Sequence, residues 1–305
     1  MEGLTPAAPE YRAGYVALVG EPNVGKSTLL NALLGQKISI VTPKPQTTRH
    51  KILGILSTST LQVVFLDTPG LIAPRYALHR AMMRQSDVAL KEADVVLFIV
   101  DATRPFKDGE GGIPESVRTA TKPVYLILNK IDCVSTRAVD AVKNALTPLL
   151  AFHRILPVAA LRGTGLPQLL ACLALDLPIH APYYPDDIAS DRQQRFFVAE
   201  IIREKIFLLT HDEIPYATSV DIADFKEREK GKWFISADII VERDSQKGIV
   251  IGKGGAQLKK IGRQARADIE KFLEYPVFLD LHVKVREGWR EKEEWVKRLG
   301  YRDDR

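Results

Sequence analysis

Short aliphatic and β-branched runs alternate with helix-spaced apolar positions over residues 12–178, the pattern of repeated βα units around a mainly parallel sheet. The runs predict strands at Tyr15–Val19, Lys51–Leu56, Leu61–Leu66, Asp94–Val100, Val124–Leu128 and Arg154–Val158. Helices are predicted to start at Lys26, near Leu78, near Pro114, near Ser135 and at Leu166. Long polar connections at Gln36–His50, Thr68–Tyr76 and Arg104–Gly112 interrupt the alternation, and connections of that length in a compact domain usually serve a function. The proline-rich stretch Leu177–Pro185 breaks the pattern, so residues 12–178 are expected to form one domain and 179–187 a linker. Beyond it the pattern changes. A helix over Arg192–Leu209, strands at Ala217–Phe225 and Trp233–Glu242, a glycine-rich turn at Gly252–Gly255, a helix to Glu274, a strand at Val277–Val285 and a helical tail at Trp289–Gly300 predict a second, unrelated α+β domain over 188–300.

With 46% hydrophobic and 27% charged residues in 305, the chain can bury a core in each domain, which excludes disordered and fibrous classes. No apolar run approaches the length of a membrane-spanning helix, and Met1–Gly14 lacks the basic-then-apolar order of a signal peptide. Cys133 and Cys172 stand alone, without metal-ligand spacing, as in a reduced cytosol. The expected location is therefore cytoplasmic. Net charge is +5, and its distribution says more than its size. From Ala181 onward the 24 basic residues balance 24 acidic ones, yet Lys247–Arg266 carries Lys247, Lys253, Lys259, Lys260, Arg263 and Arg266 with no acidic residue. Such a stretch is either a solvated helix face or a polyanion contact.

Gly20-Glu21-Pro22-Asn23-Val24-Gly25-Lys26-Ser27 is a GxxxxGK[ST] phosphate loop between an apolar strand and a helix. Its backbone N–H groups and the helix N-terminus suit a β-phosphate, Lys26 suits β- and γ-phosphate oxygens, and the Ser27 hydroxyl suits Mg²⁺. Asp67-Thr68-Pro69-Gly70 follows a buried strand as a DxxG element. There a carboxylate can hold the Mg²⁺ shell and the Gly70 N–H can meet a γ-phosphate. Asn129-Lys130-Ile131-Asp132 ends a further strand as NKxD. A carboxylate at Asp132 can accept from both N1–H and the exocyclic amine of guanine, whereas adenine would leave a buried charge unpaired. Asn129 would tie this loop to the phosphate loop, and the Lys130 stem would cover the base. The nucleotide is therefore read as GTP, hydrolysed to GDP. Two weaker elements follow: Gln46-Thr47-Thr48-Arg49-His50, whose hydroxyls could reach Mg²⁺ in a switch segment, and Ala159-Ala160-Leu161, where a backbone N–H can face guanine O6.

These elements, with Glu-Pro-Asn-Val-Gly-Lys-Ser-Thr at 21–28, Gln-Thr-Thr-Arg at 46–49 and Asp-Thr-Pro-Gly at 67–70, resemble the translation-factor-like GTPases, and closely the Era family. The resemblance spans residues 12–300 and implies an α/β P-loop GTPase domain, a mostly parallel sheet with helices on both faces, followed by a type II KH domain. It implies nucleotide contacts through Thr28, Thr68, Pro69 and Leu71 besides the residues above. It also makes Thr48 the switch ligand of Mg²⁺ alongside Ser27 and Asp67. One departure is Ala159, where the family more often has serine. Leu71 stands where many GTPases carry a water-orienting glutamine, so slow intrinsic turnover is expected. Lys26, Asn23, Thr48 and Gly70 form the catalytic set. Related GTPases with asparagine at the Asn23 position use it to help hold K⁺ beside the phosphates, which implies potassium-assisted hydrolysis. Arg49 and Arg75 could act as cis arginines but are read as solvated or switch-loop residues.

The stretch Gly248–Gly262 has an apolar lead-in, GxxG at Gly252-Lys253-Gly254-Gly255, then a basic amphipathic helix, the KH pattern that clamps about four nucleotides. Ile251, Leu258 and Ile261 would line the groove and core, and Lys253, Lys259, Lys260 and Arg263 would meet phosphates. The family resemblance implies 16S ribosomal RNA near its 3′ end as the partner, and a role in 30S subunit assembly. It also implies a conformational choice set by GTP or GDP. Peripheral association with the cytoplasmic membrane is a family trait, although the apolar face of Arg192–Leu209 reads as KH core; a monomer is expected. Trp233, Trp289 and Trp295 are read as packing residues. No HxxxH or HExxH pair among the six histidines supports a metallohydrolase. The alternative to an assembly switch is a constitutive RNA-binding GTPase with a membrane or cell-cycle role. An RNA-modification GTPase would need a further domain, and Asp132 argues against an ATPase.

Overall fold

A computed structural model describes residues 10–105 and 112–301. Most of the predicted connection Arg104–Gly112, and the first nine residues of the segment tested for a signal peptide, lie outside the described residues. In chain order the elements are β1 (Arg12–Val19), α1 (Lys26–Leu34), β2 (Ile52–Ser57), β3 (Leu61–Asp67), α2 (Ala77–Glu92), β4 (Val95–Asp101), α3 (Glu115–Arg118), β5 (Val124–Asn129), α4 (Thr136–Leu146), β6 (Arg154–Pro157) and α5 (Leu166–Asp176). There follow α6 (Gln194–Leu209), α7 (Ile214–Ala217), β7 (Ser219–Lys226), β8 (Trp233–Val241), α8 (Asp244–Ile251), α9 (Ala256–Leu273), β9 (Val277–Val285) and α10 (Glu293–Arg298). By backbone contacts the chain forms two compact units. One comprises residues 1–39, 50–72 and 85–191; the other comprises 40–49, 73–84 and 192–305.

The first unit holds a six-stranded sheet in the order β2-β3-β1-β4-β5-β6, parallel except for β2. Its strands are apolar on both faces because helices cover both, as parallel sheets require. Val16 and Leu18 of β1 and Val95, Leu97 and Ile99 of β4 pack with Leu29, Leu30, Leu169 and Leu173 of α1 and α5. The alternate residues Ala17, Val19, Val96 and Phe98 pack with Val117, Val142 and Leu146 of α3 and α4. A polar residue breaks the apolar run of β3: buried Gln62 accepts from the backbone N–H of Tyr183 (2.6 Å) and Tyr184 (3.0 Å) and donates to the carbonyl of Tyr184. Ser190 Oγ donates to the Leu53 carbonyl and Ile55 N–H to that of Ala189. The segment 179–187, read from its prolines as a linker, falls within the first compact unit, and Ala189 and Ser190 just beyond it bond the edge strand β2.

The second unit carries the sheet β7-β8-β9, with β7·β8 antiparallel and β8·β9 parallel. One face is apolar: Ile235, Ala237 and Ile239 of β8 pack with Val198, Ile202 and Ile206 of α6 and Ile261, Ala265 and Ile269 of α9. The apolar face of α6 is used in this core. Three expectations need correction here. The apolar lead-in expected at Gly248–Ile251 is the second half of the helix α8 (Asp244–Ile251); the tail is helical only over Glu293–Arg298; and the strand predicted from Ala217 begins at Ser219, after the one-turn helix α7. Trp289 is fully buried, with Nε1 donating to the Ala217 carbonyl, as expected of a packing residue. The Arg286 and Arg298 guanidinium groups both lie over the Trp295 ring, while Trp233 stacks on Tyr275.

Candidate nucleotide and nucleic-acid sites

The loop between β1 and α1 is shaped by positive-φ residues at Gly20, Asn23 and Gly25. Gly25 has to be glycine for two reasons: φ is +100°, and a Cβ there would lie 2.3 Å from Asn129 Nδ2. Lys26, at the start of α1, is buried and donates from Nζ to the carbonyls of Gly20 (3.0 Å) and Glu21 (2.8 Å). Burial pulls its pKa down to about 8, against the opposing pull of the Asp67 and Glu21 carboxylates. A buried cation whose hydrogen bonds go to two backbone carbonyls suits an anionic ligand.

Asp67 ends β3 and is fully buried. Ser27 Oγ donates to its Oδ2 at 2.8 Å, and so does Ser39 Oγ, also at 2.8 Å. Burial raises its pKa, while the two hydroxyls and Lys26 pull the other way. Its second oxygen, Oδ1, is buried without a hydrogen-bond partner. An orphaned carboxylate oxygen beside a serine hydroxyl is a hard oxygen donor set, and it fits Mg²⁺.

The base-side loops converge on Asn129. Its Nδ2 donates to the Val24 carbonyl (2.8 Å), and its Oδ1 accepts from the Ala160 N–H (3.2 Å), so one buried amide joins the phosphate loop to the Ala159–Leu161 loop. Lys130, at φ +66°, donates from Nζ to the Asn23 carbonyl (2.8 Å) and to Asp101 Oδ2 (2.6 Å). Asp132 lies in a 3-10 turn with Arg162 Nε 3.7 Å from its Oδ2. Leu71 donates its backbone N–H to the Gly20 carbonyl and adds no polar side chain.

In the second unit α8 ends at a loop in which Gly252, Gly254 and Gly255 all have positive φ. At Gly252 a Cβ would also lie 2.7 Å from Gln257 Cβ, so no side chain fits between the loop and the first turn of α9. Lys253, Lys259, Lys260, Arg263 and Arg266 are exposed, whereas Ile261 is core and Ile251 and Leu258 pack against it. Ile249, one turn before the loop, is 52% exposed and adds an apolar surface. A bare, left-handed backbone loop beside exposed cations and an aliphatic side chain can admit a nucleic-acid backbone closely.

Residues 15–130 match the 50S ribosome-binding GTPase family, and residues 213–290 match the KH domain family. The chain is 48% identical over 292 residues to GTPase Era of Geobacter metallireducens, covering 95% of this chain and 98% of that protein. The chain belongs to the Era family of GTPases. Two solved structures share its fold. An Era structure in complex with MgGDPNP and nucleotides 1506–1542 of 16S ribosomal RNA superposes with a TM-score of 0.92 at 39% identity. A single-residue variant of Aquifex aeolicus Era bound to GDP·AlF4⁻ superposes with a TM-score of 0.90 at 40% identity. Each comparison covers 95% of this chain and 99% of the other.

Of the residues that the sequence marks in this Era-family chain, the structure gathers Gly20–Thr28, Asp67–Leu71, Asn129–Asp132 and Ala159–Leu161 at the strand ends of the first unit. His50 also belongs to that unit. Gln46, Thr47, Thr48 and Arg49 belong to the second unit. There Gln46 Oε1 lies 3.1 Å from His79 Nε2, and the Arg203 guanidinium donates to the Thr47 carbonyl. Arg49, expected to be a solvated or switch-loop residue, is not solvated: it is 1% exposed, and its guanidinium donates to the carbonyls of Thr218 (2.8 Å), Pro215 (3.0 Å) and Tyr216 (3.0 Å). With its donors turned into the protein, it has no free fork to offer as a cis arginine. Arg75 is exposed. Sequence reasoning misses Ser39, whose only signal is its place in the long Gln36–His50 connection. It also misses Asn31 on α1, which no motif singles out.

Proposed function

We propose that this chain is a Mg²⁺-dependent GTP-hydrolysing switch whose KH domain binds 16S ribosomal RNA near the 3′ end during 30S subunit assembly. The observation that carries the nucleotide half is the pairing of Ser27 with Asp67, which leaves one buried carboxylate oxygen free next to the phosphate loop. In this reading Lys26 exchanges its carbonyl partners for phosphate oxygens, and the loop amides between Gly20 and Ser27 cradle the β-phosphate. Ser27 and Asp67 would hold Mg²⁺, with Thr48 the switch hydroxyl that the family resemblance adds, and the ion would supply charge neutralisation at the phosphates. Gly70 N–H meets the γ-phosphate, and Asp132 selects guanine. Ala160 N–H, held by Asn129 Oδ1, must share its proton to reach guanine O6. Leu71 cannot orient water, so turnover is slow. Asn23 would help hold K⁺, which would supply further positive charge to the site; equal rates in sodium and potassium salts would remove that part.

The RNA half rests on the GxxG loop ahead of the exposed cations of α9 and on the rRNA complex of the similar Era structure. The protein is read as cytoplasmic, with peripheral association at the cytoplasmic face of the membrane, and as a monomer. The deciding experiment measures binding of a labelled oligonucleotide from the 16S 3′ end to the full chain loaded with a non-hydrolysable GTP analogue and then with GDP. Tighter binding in the GTP-analogue state is expected. Equal binding would leave a passive RNA tether, and no binding would refute the rRNA assignment.

A further inference from the structure

Ser39 belongs to no nucleotide motif, yet it is 1% exposed and its hydroxyl donates to the carboxylate that the motifs single out. A serine hydroxyl has one proton. Those of Ser27 and Ser39 both point at Asp67 Oδ2, leaving Oδ1 as the oxygen with open lone pairs. With only one donor the carboxylate could pivot about its Cβ–Cγ bond. Donors from two separate segments, Ser27 on α1 and Ser39 beyond it, hold the carboxylate plane and so the direction in which its bare oxygen points. Ser39 is itself held. Asn31, on the outer turns of α1, accepts with Oδ1 from the N–H groups of Ile38 (2.9 Å) and Ser39 (2.9 Å) and donates with Nδ2 to the Ser39 carbonyl (2.7 Å). A closed path of hydrogen bonds therefore runs from the phosphate-loop helix through Asn31 and Ser39 to Asp67, and back to the same helix through Ser27.

From this path we infer that Ser39 is a positioning residue of the magnesium site, holding Asp67 so that Oδ1 stays bare for Mg²⁺, and that Asn31 fixes Ser39 for that task. The inference rests on the Mg²⁺–GTP reading above. Groups that orient a metal ligand through hydrogen bonds typically change metal affinity by about 10–100-fold when removed. Ser39→Ala should fall at the lower end, because the Ser27 bond to Asp67 remains.

The test is the release rate of a fluorescent GDP from the full-length protein, followed as free Mg²⁺ is titrated. Wild type should release GDP more slowly as Mg²⁺ rises. Ser39→Ala should shift the midpoint to about 10-fold higher Mg²⁺, while its release rate in EDTA stays that of wild type. Ser39→Thr, which keeps the hydroxyl, should restore the midpoint to within about twofold. Asn31→Ala should reproduce the shift, and the Asn31→Ala, Ser39→Ala pair should add little to either alone. A Ser39→Ala midpoint within about twofold of wild type would overturn the inference. So would release equally accelerated with and without Mg²⁺, since that marks general loosening of the pocket. Mg²⁺-independent release from the wild type would instead refute the metal reading of the site itself.

Discussion

Asn129→Ala is the sharpest perturbation of the nucleotide site, because one buried amide there serves two loops. Its removal leaves the Val24 carbonyl and the Ala160 N–H without their partners. Each orphaned buried group costs about 1–3 kcal/mol, so the first unit should lose about 3 kcal/mol of stability in the nucleotide-free protein. The phosphate loop and the Ala159–Leu161 loop would then have to be ordered by the ligand. If half of that cost falls on binding, GTP and GDP should each bind about 10-fold more weakly, with no change in their ratio. Asn129→Asp should be worse than alanine: it keeps an acceptor for Ala160 N–H but sets a carboxylate oxygen against the Val24 carbonyl. The assay is urea denaturation followed by far-UV circular dichroism, with hydrogen exchange of peptides spanning 20–28 and 158–164. Tryptophan fluorescence is the wrong probe, since Trp233, Trp289 and Trp295 all lie in the second unit. A stability change under about 0.5 kcal/mol together with unchanged nucleotide affinity would refute the bridging role.

Other sites give equally direct tests. Asp132→Asn should weaken GTP by about 100-fold through loss of a charged acceptor and improve xanthosine triphosphate; competition binding reads both. Arg49→Ala leaves the carbonyls of Pro215, Tyr216 and Thr218 unpaired and should destabilise the second unit by about 3 kcal/mol, seen as an earlier Trp289 fluorescence transition. Arg49→Lys, lacking the planar fork, should recover less than half of that loss. His79 has its pKa lowered to about 4 by burial and by the Arg49, Arg290 and Arg75 charges, with Gln46 and Tyr76 its remaining neighbours. The unfolded chain therefore binds the proton first, and stability should fall as pH drops from about 6.5 towards 4, by at most about 1.4 kcal/mol per unit. His79→Gln should flatten that slope in denaturation curves taken across the range.

The parts of this protein legible in its sequence are those whose chemistry is local. A phosphate loop is one strand end, one glycine-rich turn and one helix start, so the residue types and spacing of Gly20–Ser27 are enough to place it. The same holds for Asp67 and Asn129 at the ends of buried strands, and for the Gly252–Gly255 turn before its basic helix. What stays hidden depends on distant partners. The helix α8 is not legible because Gly248 and the apolar run Ile249-Val250-Ile251 beside it look like turn and strand; its Val250 packs into the core with Ile261 and Ala265, partners that local spacing does not show. Arg49 reads as solvated because a charged residue in a polar connection usually is. Its burial depends on three backbone carbonyls more than 160 positions away.

The same division separates the groups that touch a ligand from the groups that aim them. Lys26, Ser27, Asp67 and Asp132 are conspicuous because phosphate, metal and guanine each demand a particular residue type. Asn31 and Ser39 are ordinary residues in composition and spacing, and their task is defined only by where the fold delivers them: three hydrogen bonds at 2.7–2.9 Å from one, a single hydroxyl bond from the other. A carboxylate with one oxygen doubly held and the other bare is prepared before its ligand arrives, and preparation of that kind lowers the reorganisation needed on binding. It follows that variants at the conspicuous residues should abolish nucleotide binding or selectivity. Variants at Asn31 and Ser39 should instead leave binding in EDTA intact and change only the Mg²⁺ concentration at which GDP is retained.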